Sequence, residues 1–155
     1  MKKSNYSYRG KNCIVTGGSG FIGQNIVKAL IEDEANIWVI DNFSYNAQRY
    51  NVNVNANIIN GDVRDNTVYK KLPDIEYDYF FHFAGPSSVT LFNRQPGECL
   101  DITVTGFINA VKFCEKKKIR LVYPSSGSVY AGTHGPQLEI SKLALGSLNV
   151  YAKAK

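Results

Sequence analysis

Residues Gly17-Gly18-Ser19-Gly20-Phe21-Ile22-Gly23 could cradle a phosphate. They fit GxGxxG through Gly18, Gly20 and Gly23, and GxxGxxG through Gly17, Gly20 and Gly23. Alone the pattern is weak, because glycine-rich turns are common. Here it follows the apolar segment 11–16 (KNCIVT), opens an amphipathic run, and is trailed by Asp41, 18 residues past Gly23. Glycines permit a tight turn and close backbone approach, while the N-terminus of a helix behind them offers free N–H groups and partial positive charge to a pyrophosphate. A carboxylate at the end of the second strand can accept from both ribose hydroxyls of NAD. It would repel the 2′-phosphate of NADP, and no arginine follows it directly. The alternative is a strand–turn–helix unit without a ligand.

Near the other end, Tyr151 and Lys155 stand four residues apart. Oxidising a secondary alcohol at neutral pH needs a base for the hydroxyl proton. A tyrosine, with an ordinary pKa of about 10, needs a neighbouring positive charge to serve as one. A lysine four residues on along a helix shares its face and supplies that charge. The YxxxK spacing also arises by chance: Tyr69 sits beside Lys70 and Lys71, and ordinary helix-surface residues are the alternative for the Tyr151 pair. Lys142 makes no such pair, since Leu138 stands four residues before it.

These groups need a scaffold. Segments 11–16, 36–40 (NIWVI), the end of 51–60 near Ile58 and Ile59, 79–83 (YFFHF) and 119–123 read as five strands. The continuous apolar run 79–83 suits a strand covered on both faces of a parallel sheet. Helices are expected from about Phe21 to Asp33, with Ile22, Ile26, Ala29 and Leu30 on one face, and from about Gly97 to Lys118. The stripe of the second, Leu100, Val104, Phe107, Ile108, Val111 and Cys114, is expected to pack on the sheet. Strands alternating with helices imply right-handed crossovers and an α/β, doubly wound parallel sheet. There is no internal repeat or linker, and the sequence stops at Lys155 inside a helix that has just begun.

Composition narrows the classes. With 155 residues, 44% of them hydrophobic and 20% charged, the chain fits one domain with a core and is too apolar for disorder. No apolar run reaches the roughly 18 residues of a membrane span, and no apolar stretch follows Met1-Lys2-Lys3, so a soluble, cytoplasmic chain without membrane contact is expected. The net charge of +5 raises nucleic acid as a partner. However, the one dense basic run, Lys116-Lys117-Lys118, falls at a helix C-terminus without interleaved aromatics, so no nucleic-acid partner is expected. Cys13, Cys99 and Cys114 form no CxxC pair, and His82 and His134 are the only histidines, so neither a disulfide framework nor a metal site is expected. Cys13 and Cys114 are expected to be buried, inert thiols.

The segments Thr16 to Gly23, Asp41-Asn42-Phe43-Ser44, Gly61-Asp62-Val63-Arg64-Asp65, Phe81-His82-Phe83-Ala84-Gly85 and Ser125-Ser126-Gly127-Ser128-Val129-Tyr130 resemble, in order, the extended short-chain dehydrogenase/reductase family, the NAD-dependent nucleotide-sugar epimerases and dehydratases. The resemblance covers nearly the whole chain. It implies a Rossmann-type, three-layer αβα domain over residues 1–155, incomplete at its C-terminus, with the substrate-binding domain absent. It places NAD against Gly17, Gly20, Phe21, Ile22 and Gly23 of the turn and against Asp41 and Asn42. Asp62 and Val63 would hold the adenine, and Phe83, Ala84 and Gly85 would floor the riboses and nicotinamide. Ser126 precedes Tyr151 by 25 residues, similar to the family's spacing. On that likeness Tyr151 is general base and acid, Lys155 lowers its pKa and binds nicotinamide ribose hydroxyls, and Ser126 hydrogen-bonds the reacting oxygen. His82 matches a structural position.

Family chemistry begins with oxidation at the sugar C4. The 4,6-dehydratases then use an Asp-Glu pair, and the decarboxylases a Glu, directly after the catalytic Ser or Thr. Gly127 and Ser128 stand there in this chain, so 4-epimerisation of a UDP-sugar is the favoured reading. A dehydratase or reductase, or a non-catalytic NAD-binding module, are the alternatives. Thr103 replaces the family's usual asparagine, and Ser87 stands where some 4-epimerases have a lysine. Family chains are roughly twice this long and commonly pair through two long helices, so a homodimer is expected at full length. The 155 residues alone are expected to bind NAD weakly and to turn nothing over.

Overall fold

The computed structural model describes residues 7–44, 55–132, 135–141, 143 and 149–155. Five strands form one parallel sheet: β1 (Asn12–Thr16), β2 (Asn36–Asp41), β3 (Asn57–Asn60), β4 (Tyr79–His82) and β5 (Arg120–Val122). Their order is β3-β2-β1-β4-β5. The chain steps outward from β1 through β2 to β3, then returns to the other side of β1 for β4 and β5. A crevice therefore opens at the carboxyl ends of β1 and β4, where the order reverses.

Helices α1 (Phe21–Glu32), α2 (Val89–Arg94), α3 (Pro96–Lys117) and α4 (Val150–Ala154) complete the described fold. Side chains alternate across each strand. Cys13 and Val15 join Val27 and Leu30 of α1, with Val39 and Phe81, in one core. Ile14, Ile40 and Phe80 join Ala110 and Cys114 of α3 in the other. The result is the expected three-layer α/β domain. All three cysteines are buried, and burial pushes the Cys13 and Cys114 thiols up to about 12. Among the described residues no helix is long and apolar enough to cross a membrane.

Both helix faces differ from expectation. The buried face of α1 is Gly23, Val27 and Leu30, with Ile26 alongside, while Ile22 and Ala29 are exposed. On α3 the buried residues are Cys99, Ile102, Thr103, Gly106, Ala110 and Cys114, whereas Leu100, Val104 and Ile108 are 37%, 45% and 44% exposed. The reason is close approach: Gly106 lies against Val63 of the loop after β3, where a Cβ would fall 2.7 Å from Cγ2, so α3 turns its small residues inward. Its bulky aliphatic stripe is left outward. The short α2 escaped the sequence reading, although Ser88 caps it by accepting from the Leu91 N–H at 3.3 Å.

Phe80 is fully buried between Tyr69 and Phe113, with ring centroids 6.1 Å from each. Phe80→Ala is expected to cost about 3–5 kcal/mol. Urea unfolding should show a lower midpoint with an unchanged slope.

Candidate functional site

The glycine turn is built around backbone contact. Gly17 has φ of 70°, and a Cβ there would lie 2.6 Å from the Ala84 nitrogen. A Cβ on Gly23 would fall 2.0 Å from the Gly17 carbonyl oxygen, so the first turn of α1 rests on the end of β1. Gly20, the N-cap, contributes no side-chain cap, and no acidic residue occupies the first turn. The N-terminal N–H groups and the positive end of the helix dipole are left for an anion.

Asp41 ends β2 beside this turn. Its Oδ2 accepts from the Ser19 N–H at 2.9 Å and its Oδ1 from the Phe43 N–H at 2.8 Å, which fixes the carboxylate against the glycine loop. A cleft of about 470 Å³ runs across the strand ends. Of the residues expected at a cofactor, Gly17, Gly20, Phe21, Asp41, Asn42, Asp62, Val63, Phe83, Ala84 and Gly85 line it. Ile22 and Gly23 stand behind the turn, and Tyr151 and Lys155 lie outside this lining. Ser88 and Leu91 of the α2 region and Ile102 of α3 join the cleft without having been anticipated. Thr103 spends its hydroxyl on the Cys99 carbonyl at 2.8 Å. Arg64 holds the Asp62 carboxyl below the usual range, chiefly by hydrogen bonding.

Under the cleft, Thr16 ties β1 to β4. Its Oγ1 accepts from the Ala84 N–H at 3.2 Å and lies 2.8 Å from His82 Nδ1. His82 is 1% exposed, and its Nε2 is buried without a hydrogen-bond partner. Burial first, and the charge of Lys155 second, bring its pKa down to about 4, so the ring is neutral at pH 7.

Asn149 caps α4 by accepting from the Ala152 N–H at 2.8 Å, and α4 packs against α2, α3 and the 3₁₀ turn Gly127–Tyr130. This brings Tyr151 and Lys155 to the end of β5, where Ser126 lies. The Tyr151 ring meets Phe92 edge-on, with centroids 5.3 Å apart. The Lys155 ammonium sits 5.1 Å from the centroid of Tyr123, and burial lowers its pKa. Ser126 Oγ accepts from the Ser128 N–H at 3.2 Å, leaving its own proton free to donate. Among the described residues no hydrogen bond joins the three side chains. A phenol, a partly desolvated amine and a hydroxyl donor gathered near the end of β5 suit proton transfer to and from an alcohol.

Residues 13–155 match the NAD-dependent epimerase/dehydratase family. The chain belongs to that family. It is similar to the ADP-L-glycero-D-manno-heptose-6-epimerase of Brachyspira hyodysenteriae, at 36% identity over 92% of this chain and 45% of the relative. It is also similar to UDP-glucuronic acid decarboxylase 1 of Danio rerio, at 29% identity over 77% of this chain and 28% of the relative. Among solved structures, the UDP-glucose 4-epimerase of Bifidobacterium longum in complex with NAD+ and UDP superposes with a TM-score of 0.82. That pair shares 25% identity over 94% of this chain and 46% of the other. The chain spans under half the length of the curated relatives it matches.

The buried neutral His82 makes stability pH-dependent. Its folded pKa of about 4 lies below the ordinary value of 6.5, so the unfolded chain binds the proton more readily. The His82 contribution is therefore complete above about pH 6.5 and is lost as pH falls toward 4, by about 3 kcal/mol. Unfolding free energies across that range should show this loss, and a folded His82→Gln variant should show a flatter profile.

Proposed function

We propose that this chain carries the NAD-binding and proton-transfer groups of a nucleotide-sugar 4-epimerase acting on a UDP-sugar. NAD fits the residues present. The open N-terminus of α1 suits a pyrophosphate, Asp41 suits ribose hydroxyls, and Gly17 and Gly20 line the cleft without side chains. Bound NAD supplies a reversible acceptor for the hydride of the sugar C4.

The remaining chemistry belongs to the protein. Tyr151 takes the proton of the C4 hydroxyl and later returns it. Lys155 supplies the positive charge that favours the ionised phenol, and the Ser126 hydroxyl donates to the reacting oxygen. The observation that carries the choice of reaction is the turn after Ser126. Gly127 and Ser128 follow, and a Cβ on Gly127 would meet nothing within 4 Å. That turn offers no carboxylate for eliminating water or assisting decarboxylation. Epimerisation needs none: with the ketone turned over, the hydride would return from the reduced cofactor to its other face, and Tyr151 would return the proton to the oxygen.

Sugar-selecting groups are assigned to a second domain outside residues 1–155, in keeping with relatives more than twice as long. The outward stripe Leu100, Val104 and Ile108 supports pairing as a homodimer.

Tyr151→Phe in the complete gene product should retain NAD binding and lower substrate-driven turnover by about 10²–10⁴-fold, read from cofactor absorbance and epimer formation. Unchanged turnover would remove Tyr151 from the chemistry, and NAD binding without any turnover of UDP-sugars by the wild type would favour a binding module. Asp41→Ala should weaken NAD by about 10- to 100-fold in calorimetric titration and erase any preference over NADP.

A further inference from the structure

Asp62 is saturated with donors. Its Oδ1 accepts from the Arg64 backbone N–H at 2.9 Å and from Arg64 Nε at 3.1 Å. Its Oδ2 accepts from Arg64 Nη2 at 2.7 Å and from Asn42 Nδ2 at 3.1 Å. The guanidinium reaches on through Nη1 to Asp101 Oδ2 on α3 at 3.1 Å, and the other oxygen of Asp101 accepts from Thr105 Oγ1 at 2.7 Å. Asn109 donates to the carbonyls of Val63 and Arg64 at 3.1 and 2.8 Å. Asp101, Thr105 and Asn109 recur every four residues, so one stripe of α3 anchors the loop after β3.

A carboxylate offers about four acceptor positions, and all are taken. A further N–H donor in the cleft can be accepted only by exchange. The guanidinium bonds are charge-assisted, and the backbone bond closes a local turn. Asn42 is the neutral donor, its bond to Asp62 is 3.1 Å, and both residues line the cleft. It is the one to yield.

We propose that Arg64 is a positioning residue for purine recognition. It locks Asp62 in one orientation, so that the oxygen released by Asn42 meets the 6-amino group of an adenine. The inference rests on reading the cleft as an NAD site. Lysine cannot substitute, because a single ammonium cannot grip both Asp62 oxygens and reach Asp101.

The test is calorimetric titration of the complete gene product with NAD and with nicotinamide hypoxanthine dinucleotide, whose purine has an oxo group in place of the amino group. The wild type is expected to prefer NAD. Arg64→Met should weaken NAD by about tenfold while changing the hypoxanthine analogue less than about twofold, matching the selectivity of Asp62→Ala. If Arg64→Met does not fold, Asp101→Asn, which loosens the guanidinium from α3, should lose part of the same selectivity. A folded variant that keeps the wild-type preference, or weakens both dinucleotides equally, overturns the role of Arg64 and leaves the NAD reading standing. A wild type that binds neither dinucleotide overturns both.

Discussion

The contact on which the site depends is between the Gly23 backbone and the carbonyl of Gly17. No side chain fits between them, so the first turn of α1 is laid directly on the end of β1. That placement aims the positive end of the helix at the crevice where the strand order reverses. It also brings the Ser19 N–H within 2.9 Å of the Asp41 carboxylate. Helix, turn and second strand therefore form one rigid corner, and the remainder of the cleft is arranged about it.

Around this corner polar groups are held by partners from distant parts of the chain. Thr16 joins β1 to β4 beneath Ala84, with a buried neutral histidine as its other partner. The unpaired His82 Nε2 costs about 1–3 kcal/mol, and the ring's packing against Phe80, Phe107 and Tyr123 offsets it. Asp62 is similarly held, through Arg64, by the outer stripe of α3. The cleft thus combines a partial positive charge at the start of α1 with two fixed carboxylates, Asp41 beside the glycine turn and Asp62 in the loop after β3. That distribution suits a pyrophosphate flanked by hydroxyl and amino donors.

Features that depend on local spacing were legible in the sequence. The glycine turn stood out because close approach demands glycine, and β1, β2 and β4 because buried strands demand apolar runs. The inner face of α3 was not legible, because apolar character does not mark it. The helix instead buries Gly106, Thr103 and Ala110 to approach the sheet, leaving Leu100 and Val104 outside. With six residues, α2 is too short to show a period. The bridge from Arg64 to Asp101 spans 37 residues and has no local signature. Tyr151 and Lys155 were found through spacing, but their placement beside Phe92 and Tyr123 is tertiary information.

The most direct measurement is a crystal structure of the complete gene product grown with saturating NAD. The account predicts the pyrophosphate within hydrogen-bond distance of the N–H groups that open α1, and the Asp41 carboxylate on the hydroxyls of the adenosine ribose. A dinucleotide bound elsewhere, or a cleft left vacant under those conditions, would contradict it.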